Sequence, residues 1–515
     1  MRLRVDLAII LIVVSFLTQP VLAQTAYDPV RFTVDAFVIN GDNPIGDKAY
    51  KVLAPYIGEQ SGLEGLSAAA DDLEQAIINA GFSFHRVSLP PQSLTDGRVE
   101  FNIVSFTIGQ VTIEGNQHFD QQNIENSLPE LRAGTTPNTS ELSRSLRIAN
   151  NHASKSTSLR FKEGEGEDTI DALITVSDKN PQLYFLTLDN SGSADSEEYR
   201  TTFGYQHGNL FNKDHAMTLT LTVAPADPDA TTQIGFNYHL PLYRHGATVD
   251  FLFSDSEINS GVVGEDMAIS GKGSVLGAAY IRPILSDSRL NHQWSAGVQR
   301  KLFENQIEIS GSQVEADVLS FPLELGYGFS YPLQDGAISG SLSYAMNIDS
   351  GSHNTVEDYQ AVRIGADNKW SLMRYQLAYD HVFADDWLFH TGLSGQQSDD
   401  LLISGEQFGV GGSSTLRGFE ERSITGDQGY QLSLEVWTPA YSNMRYLVFI
   451  DSAMVELNNG DSYDLSSAGL GLRWTWKQQM SLALDYGVIN QGGGPDVTIN
   501  QDGDDRFHLN LIYRF

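Results

Sequence analysis

The sequence predicts two small α+β modules followed by a sixteen-stranded antiparallel transmembrane β-barrel. Three observations carry that prediction. From residue 182 to the C-terminus, short segments alternate apolar and polar residues with no helical interruption. The connections between these segments alternate in length. Ahead of them, a β-α-α-β-β pattern occurs twice.

The chain opens with an address. Residues 1–23 carry Arg2 and Arg4, an apolar run over Leu7–Leu17, a helix-breaking Pro20 and Val21-Leu22-Ala23 at a cleavage position. This is a secretory signal peptide, too short for a membrane helix. The 515 residues hold 65 Asp+Glu against 32 Lys+Arg, a formal charge of -33. Nucleic acid is not an expected partner, because binding it needs a cationic face. With no cysteine, disulfides, thiolate metal sites and Cys nucleophiles are excluded. The 12 His show no HExxH pattern. No enzyme, cofactor, metal or catalytic site is expected. No later stretch is apolar enough for a helical span, which leaves the closed barrel as a route into a membrane.

The first module is expected over 30–107 and the second over 108–178. In 32–41, Phe32, Val34, Ala36 and Val38 share a strand face. Residues 47–57 and 67–80 are helical in pattern, with Ser67 as N-cap and Gly81 at the stop. Strands are expected at 82–89 and 98–106 around the turn PPQSLTDG. The order then repeats: strand 108–114, helices near 120–131 and 139–154, strands 158–162 and 169–177. The acidic turn Glu163–Asp168 lacks the ligand spacing of a Ca²⁺ loop and reads as a solvated turn.

Residues 182–515 form the barrel. In 216–223, Met217, Leu219, Leu221 and Val223 oppose Thr218, Thr220 and Thr222; in 479–488, Met480, Leu482, Leu484, Tyr486 and Val488 oppose Ser481, Ala483, Asp485 and Gly487. A soluble sandwich and a membrane barrel both produce this alternation, but only a barrel that spans a membrane sorts its connections by parity. Sixteen strands with their connections take about 21 residues each, which suits spans of roughly 9–11 residues. Even-numbered connections such as 241–245, 384–386, 439–442 and 477–478 are short. Odd ones at 256–272, 302–314, 347–369, 397–429, 455–465 and 490–504 are long. The stretch 359–383 has room for a second strand, which would make the count odd. In the final strand, Phe507, Leu509, Leu511, Tyr513 and Phe515 line one face.

The longest connection, 397–429, holds Gly409, Gly411 and Gly412, then Leu416, Arg417, Gly418 and Phe419. No Gly-Lys-Ser/Thr or G-x-S-x-G accompanies them, so neither a phosphate cradle nor a nucleophile elbow is formed. Arginine stays charged and offers a rigid donor fork suited to a carboxylate. Phe449 and Asp451 share a face in the thirteenth strand, with Tyr446, Val448 and Ile450 on the other, and Glu435 is expected beside them in the twelfth.

Several of these stretches resemble one family. The repeated module is similar to a POTRA domain, and GFSFHRVSLPPQSLTDGRVEFNIVSFTIGQVTIEGN at 81–116 resembles the POTRA type of TpsB two-partner-secretion transporters (ShlB/FhaC/HecB). Leu416-Arg417-Gly418-Phe419 resembles the lumen-loop tip of the wider BamA-type superfamily. The family's wall motif is Phe-x-Asp-x-Gly; here it reads Phe449-Ile450-Asp451-Ser452-Ala453, with Ala453 in place of the glycine. The terminal Tyr513 and Phe515 resemble the assembly signal of outer-membrane barrels.

The resemblance implies an outer-membrane translocator in a Gram-negative envelope, with POTRA domains in the periplasm. They would capture an unfolded TpsA-like exoprotein by pairing with exposed strand edges, with 82–89 and 98–106 as candidates. The cargo would leave through the barrel, past the 397–429 loop. Further partners implied are the barrel-assembly machinery and outer-membrane lipid. A BamA-type assembly factor is the alternative, and a passive porin would need no POTRA modules. With cleavage after Ala23, residues 24–31 leave no room for a plug helix. A more open resting channel, or one occluded by the loop alone, is expected.

Overall fold

The computed structural model describes residues 31–192, 197–228, 231–256, 259–262, 268–270, 272–285, 289–304, 306–309, 312–494 and 499–515. The signal peptide expected at 1–23 lies outside them. Two compact units divide the chain: residues up to Ala80 with His85–Ser105, and Gly81–Phe84 with Phe106–Phe515.

The first unit contains β1 (Arg31–Val34), β2 (Ala36–Gly41), α1 (Lys48–Leu53), β3 (Gly58–Ser61), α2 (Glu64–Asn79), β4 (His85–Ser88) and β5 (Arg98–Ser105). Its three-stranded sheet runs β2-β5-β4, parallel then antiparallel. Leu66, Ala69, Ala70, Leu73 and Ile77 form the buried stripe of α2, at the spacing of one helix face. On the sheet, the Phe37 and Phe101 rings stack at 5.5 Å.

Three expectations change here. The segment 32–41 is two strands, because the Gly97 carbonyl accepts from both Asp35 N (2.7 Å) and Ala36 N (3.2 Å). The resulting bend shifts the alternation, so Val34 and Phe37 are buried while Ala36 is exposed. Ser67 is not the N-cap: the helix starts at Glu64 after Leu63, and Ser67 N already donates to Leu63 O at 3.0 Å. Residues 98–106 are not an edge. The strand β5 is paired on both sides, which leaves β2 and β4 outermost.

The second unit begins with β6 (Thr107–Glu114), α3 (Gln121–Ser127), α4 (Thr139–Asn150), β7 (Lys155–Glu163) and β8 (Thr169–Asp178), in sheet order β6-β8-β7. Side-chain caps start both helices: Asp120 accepts from Asn123 N at 2.8 Å, and Asn138 from Glu141 N at 3.0 Å. Ile108, Phe119, Ile124, Leu128, Leu142 and Ile174 fill the core.

Sixteen antiparallel strands then close into a barrel. They are Gln182–Asp189, Arg200–Leu210, His215–Val223, Thr232–Leu242, Ala247–Ser256, Lys272–Ile284, Asn291–Glu304, Val318–Ser320 with Pro322–Leu333, Gly336–Asn347, Ser371–Phe383, Trp387–Gln397, Gln428–Trp437, Met444–Glu456, Ser462–Trp476, Met480–Gln491 and Asp505–Arg514. The first pairs with the last, Asn510 opposite Asp189 and Arg514 opposite Phe185. The eighth strand is interrupted at Phe321, where Asn347 Oδ1 takes the backbone N–H at 2.6 Å. Residues 359–383 hold one strand, preceded by α5 (Val356–Val362), so the count stays even. The thirteenth connection is only 457–461, because its flanking strands run on past the expected ends. Leu219, Leu221, Phe251, Phe253, Leu276, Leu325, Leu342, Val448, Ile450 and Leu470 are all exposed on the outside. A continuous apolar belt of this kind is what a lipid-facing surface requires.

The second module sits on the barrel's short turns through a buried polar hub. Asp214, in the turn after the second strand, accepts from Lys155 Nζ (2.6 Å), Asn123 Nδ2 (2.8 Å) and Tyr243 OH (2.6 Å). His152 Nε2 donates to Gly208 O at 2.6 Å, and Arg147 Nη1 to Ile284 O at 3.1 Å. The module thereby grips the turns after the second, fourth and sixth strands. Burial pulls the Lys155 ammonium below its ordinary range, with Asp214 opposing the shift. Lys155→Met leaves Asp214 buried without its counter-charge, at ~3–5 kcal/mol. Trypsin should then cut the Lys179–Pro181 connection faster than in the wild type, while the barrel keeps its heat-modifiable mobility. An unchanged cleavage rate would count against the hub.

Candidate functional site

The connection between the eleventh and twelfth strands turns back into the barrel. Its arms pair as a short hairpin, Phe408–Val410 with Ile424–Gly426. The tip between them needs left-handed backbone at Gly411 (φ 116°), Gly412 (φ 97°) and Gly418 (φ 94°). Thr415 Oγ1 bridges Gly411, accepting from its N at 2.9 Å and donating to its O at 2.6 Å. Leu416 and Phe419 are fully buried, packed with Val410, Ile424, Ala453, Val455, Leu465 and Ile489.

Arg417 lies between them, 4% exposed. Its Nε and Nη2 donate to Asp451 Oδ2 and Oδ1, each at 2.7 Å, and its backbone N to Oδ2 at 3.1 Å. Nη1 meets Glu435 Oε1 at 2.7 Å and Asp485 Oδ1 at 3.9 Å. Nη2 also reaches Ser433 Oγ at 3.0 Å. The guanidinium stacks over the Phe449 ring, 3.5 Å from its centroid. Glu435 is oriented by Trp437 Nε1 at 2.7 Å. Asp485 is shared with Arg473, whose Nη1 and Nη2 donate to it at 2.9 Å each. Two guanidiniums thus face three carboxylates inside the barrel.

The wall side chains that meet Arg417 arrive by strand alternation. Leu447, Phe449, Asp451 and Ala453 point inward in the thirteenth strand, while Tyr446, Val448 and Ile450 point out. Asp451, Phe449 and Glu435 are therefore brought together with Arg417. The terminal Tyr513 and Phe515 lie elsewhere, on the exposed face beside the seam, where Phe515 stacks on Tyr184 at 6.0 Å. Sequence reasoning missed Ser433, Arg473, Asp485, Gly487 and His508 as members of the site. The polar face of the fifteenth strand carried a signal for Asp485 and Gly487, but not which wall the tip would meet.

The glycine missing at Ala453 has its counterpart there. Ala453 packs among apolar side chains, and the tight approach falls at Gly487 instead. A Cβ on Gly487 would stand 2.7 Å from Gly418 N and 2.8 Å from Arg417 C. Gly418 N also donates to His508 Nε2 at 2.9 Å. The tip occupies the side of the lumen made by strands twelve to sixteen. Opposite it remains a cavity of about 890 Å³, lined by neutral polar side chains such as Thr218, Asn237, Gln293, Gln299 and Ser343 together with Lys301, Arg374, Arg422, Asp250 and Glu324.

Removing Arg417 strands Asp451, at ~3–5 kcal/mol in a dry site and less where water enters the lumen. Arg417→Ala and Gly487→Ala should both lower the temperature at which the barrel loses its compact gel mobility in detergent. A midpoint equal to wild type in both variants would contradict the close packing.

Comparison with known proteins agrees with this architecture. The model of the haemolysin secretion/activation protein family ShlB/FhaC/HecB matches residues 168–474. That of the ShlB-type POTRA domain matches residues 32–105. The heme/hemopexin transporter protein HuxB of Haemophilus influenzae is 22% identical over 505 residues, 92% of this chain and 85% of that protein. The outer membrane transporter CdiB of Escherichia coli O6:K15:H31 is 20% identical over 473 residues, 86% of this chain and 76% of that protein. Among solved structures, CdiB from Escherichia coli superposes with a TM-score of 0.72 at 16% identity, over 97% of this chain and 93% of that one. BamA from Haemophilus ducreyi lacking POTRA domains 1-3 gives a TM-score of 0.52 at 15% identity, over 94% of this chain and 100% of that one. The structural likenesses speak for the fold. The family match spans more than half of the sequence, and the chain belongs to the ShlB/FhaC/HecB haemolysin secretion/activation family.

Proposed function

We propose that this outer-membrane barrel captures one unfolded exoprotein in the periplasm and exports it to the cell surface or medium by two-partner secretion. The observation that carries this reading is a family-typical barrel whose polar lumen is partly occupied by its own buried loop. A pore built for free diffusion has no use for POTRA modules. BamA-type assembly of other barrels is the second reading, supported only by a distant likeness of fold.

In the favoured mechanism, the POTRA domains bind a TpsA-like exoprotein in extended form. A sheet edge offers backbone hydrogen bonds that tolerate many sequences. In the first domain that edge is β4, within the expected 82–89 stretch, and 98–106 is excluded because both its sides are paired. The 397–429 loop gates the lumen, with Leu416, Arg417, Gly418 and Phe419 as the tip and Asp451, Phe449 and Glu435 as its wall partners. The seam-side Tyr513 and Phe515 serve recognition by the barrel-assembly machinery, and the apolar belt takes up outer-membrane lipid. Folding of the cargo outside supplies the direction of transport.

Deleting the gene should leave one large exoprotein in the periplasm while other outer-membrane barrels stay at normal abundance. Broad loss of unrelated barrels would favour assembly instead. In planar bilayers, deletion of 405–425 should turn brief openings into a lasting conductance. A closed baseline in that variant would rule the loop out as the gate.

A further inference from the structure

The 397–429 loop is held a second time, at its root on the long-loop side of the barrel. Asp427 immediately precedes the twelfth strand and is fully buried. Its carboxylate accepts from both Nη1 and Nη2 of Arg363, the latter at 2.7 Å. It also accepts from Leu402 N (2.8 Å), Asn458 N (2.8 Å) and Gln407 Nε2 (3.4 Å). Three long-side connections therefore meet at one carboxylate: 348–370 through Arg363, 398–427 through Leu402 and Gln407, and 457–461 through Asn458.

Arg363 is presented from a fixed platform. It follows α5, whose start is closed by a reciprocal capping box between Thr355 and Asp358. Tyr359 of that helix is fully buried, donates to Leu319 O at 3.3 Å and accepts from Trp370 Nε1 at 3.2 Å. Asn347 Nδ2 ties the connection to itself through Asn354 Oδ1 (2.8 Å) and Asn368 O (2.7 Å). The platform is thus built into strands eight to ten, while the loop it grips leads into strand twelve.

Among Asp427's named partners, Arg363 alone brings a full positive charge. None of the four residues that hold the Asp427 carboxylate takes part in the Arg417 cluster, so the root and the tip are separately pinned. Arg363 keeps 19% of its side chain exposed, but the Asp427 side chain has no exposure at all. If Arg363 lets go, the carboxylate must either stay buried without its counter-charge or swing out to water. The first is strongly unfavourable. The second moves the root of the loop, which makes this pair a two-state element.

We propose that Arg363 is a positioning residue of the gate: it latches the root of the 397–429 loop to α5 and sets how often the channel opens. The proposal rests on the reading of that loop as the gate. With Arg417 still holding the tip, release of the root opens the mouth without emptying the lumen.

The test is single-channel recording of the full-length protein in planar bilayers. Arg363→Ala should raise the frequency of openings by roughly tenfold or more, with the conductance of each opening unchanged. In Arg363→Ala/Asp427→Asn the stranded charge is gone but the grip is still lost, so openings should remain frequent. A double variant as quiet as wild type would overturn the latch, because the single variant's effect would then come from a stranded charge alone. If Arg363→Ala is quiet while deletion of 405–425 conducts, the latch fails and the gate stands. If both are quiet, the gate reading fails and takes the latch with it. Should Arg363→Ala yield no heat-modifiable barrel, Asp427→Asn alone serves, with frequent openings expected and a quiet trace overturning the proposal.

Discussion

Hydrocarbon offers the backbone no hydrogen-bond partner, and the rest of the structure follows from that constraint. A sheet that enters a membrane must pair its first strand with its last, because a free edge would leave a row of N–H and C=O groups unsatisfied. Sixteen strands meet this demand here, with Asp189 to Phe185 closing on Asn510 to Arg514. Closure turns one face of every strand towards lipid and the other towards an enclosed space. A ring of this size is too wide for its own side chains to fill. The polar lumen is therefore partly occupied by a long loop of the same chain, and the loop's charge decides which wall it rests on.

Charge pairing inside the barrel is arranged so that no single contact carries the loop. The tip is drawn to strands twelve to sixteen by Asp451, Glu435 and Asp485, with Arg473 balancing the last of these. The ascending arm is held on the other side by Glu406, which is fully buried and accepts from Lys301 Nζ and Ser320 Oγ at 2.9 Å each. The root is held by Asp427. Anchors on opposite walls keep the hairpin across the lumen: the tip shares no side-chain partner with the root, while arm and root are joined through Gln396 Nε2, which donates to Glu406 O at 3.0 Å and to Asp427 O at 3.1 Å. The second POTRA module repeats the design at the other end of the barrel, where one buried aspartate, Asp214, collects donors from a lysine, an asparagine and a tyrosine.

Much of this was legible in the sequence because strand alternation reports which face each residue takes, and a membrane punishes any slip in register. The inward set Phe449, Asp451 and Glu435 and the outward set Tyr446, Val448 and Ile450 follow from that rule alone. What escaped it was local. Gly97 bends the chain at Asp35 through its carbonyl, a contact between residues 62 apart. The strand at 98–106 alternates as its neighbour at 82–89 does, and only the sheet order reveals that it is central. The helix α5 has too few residues to show a period, although Thr355 and Asp358 stand at capping-box spacing. Gly487 and His508 belong to the site only because the loop tip comes to rest against their strands, and the folded path of a loop leaves no trace in alternation.

In a closed barrel of this kind adjacent residues of one strand face different solvents. The chain contains no cysteine, so a single introduced one reports alone. Cysteines placed one at a time at Val448, Phe449, Ile450 and Ala453, labelled with a fluorophore in lipid vesicles, measure this directly. A quencher carried on the lipid tails should dim the label at 448 and 450 and spare 449 and 453. Equal quenching at all four positions, or none at any, would contradict it.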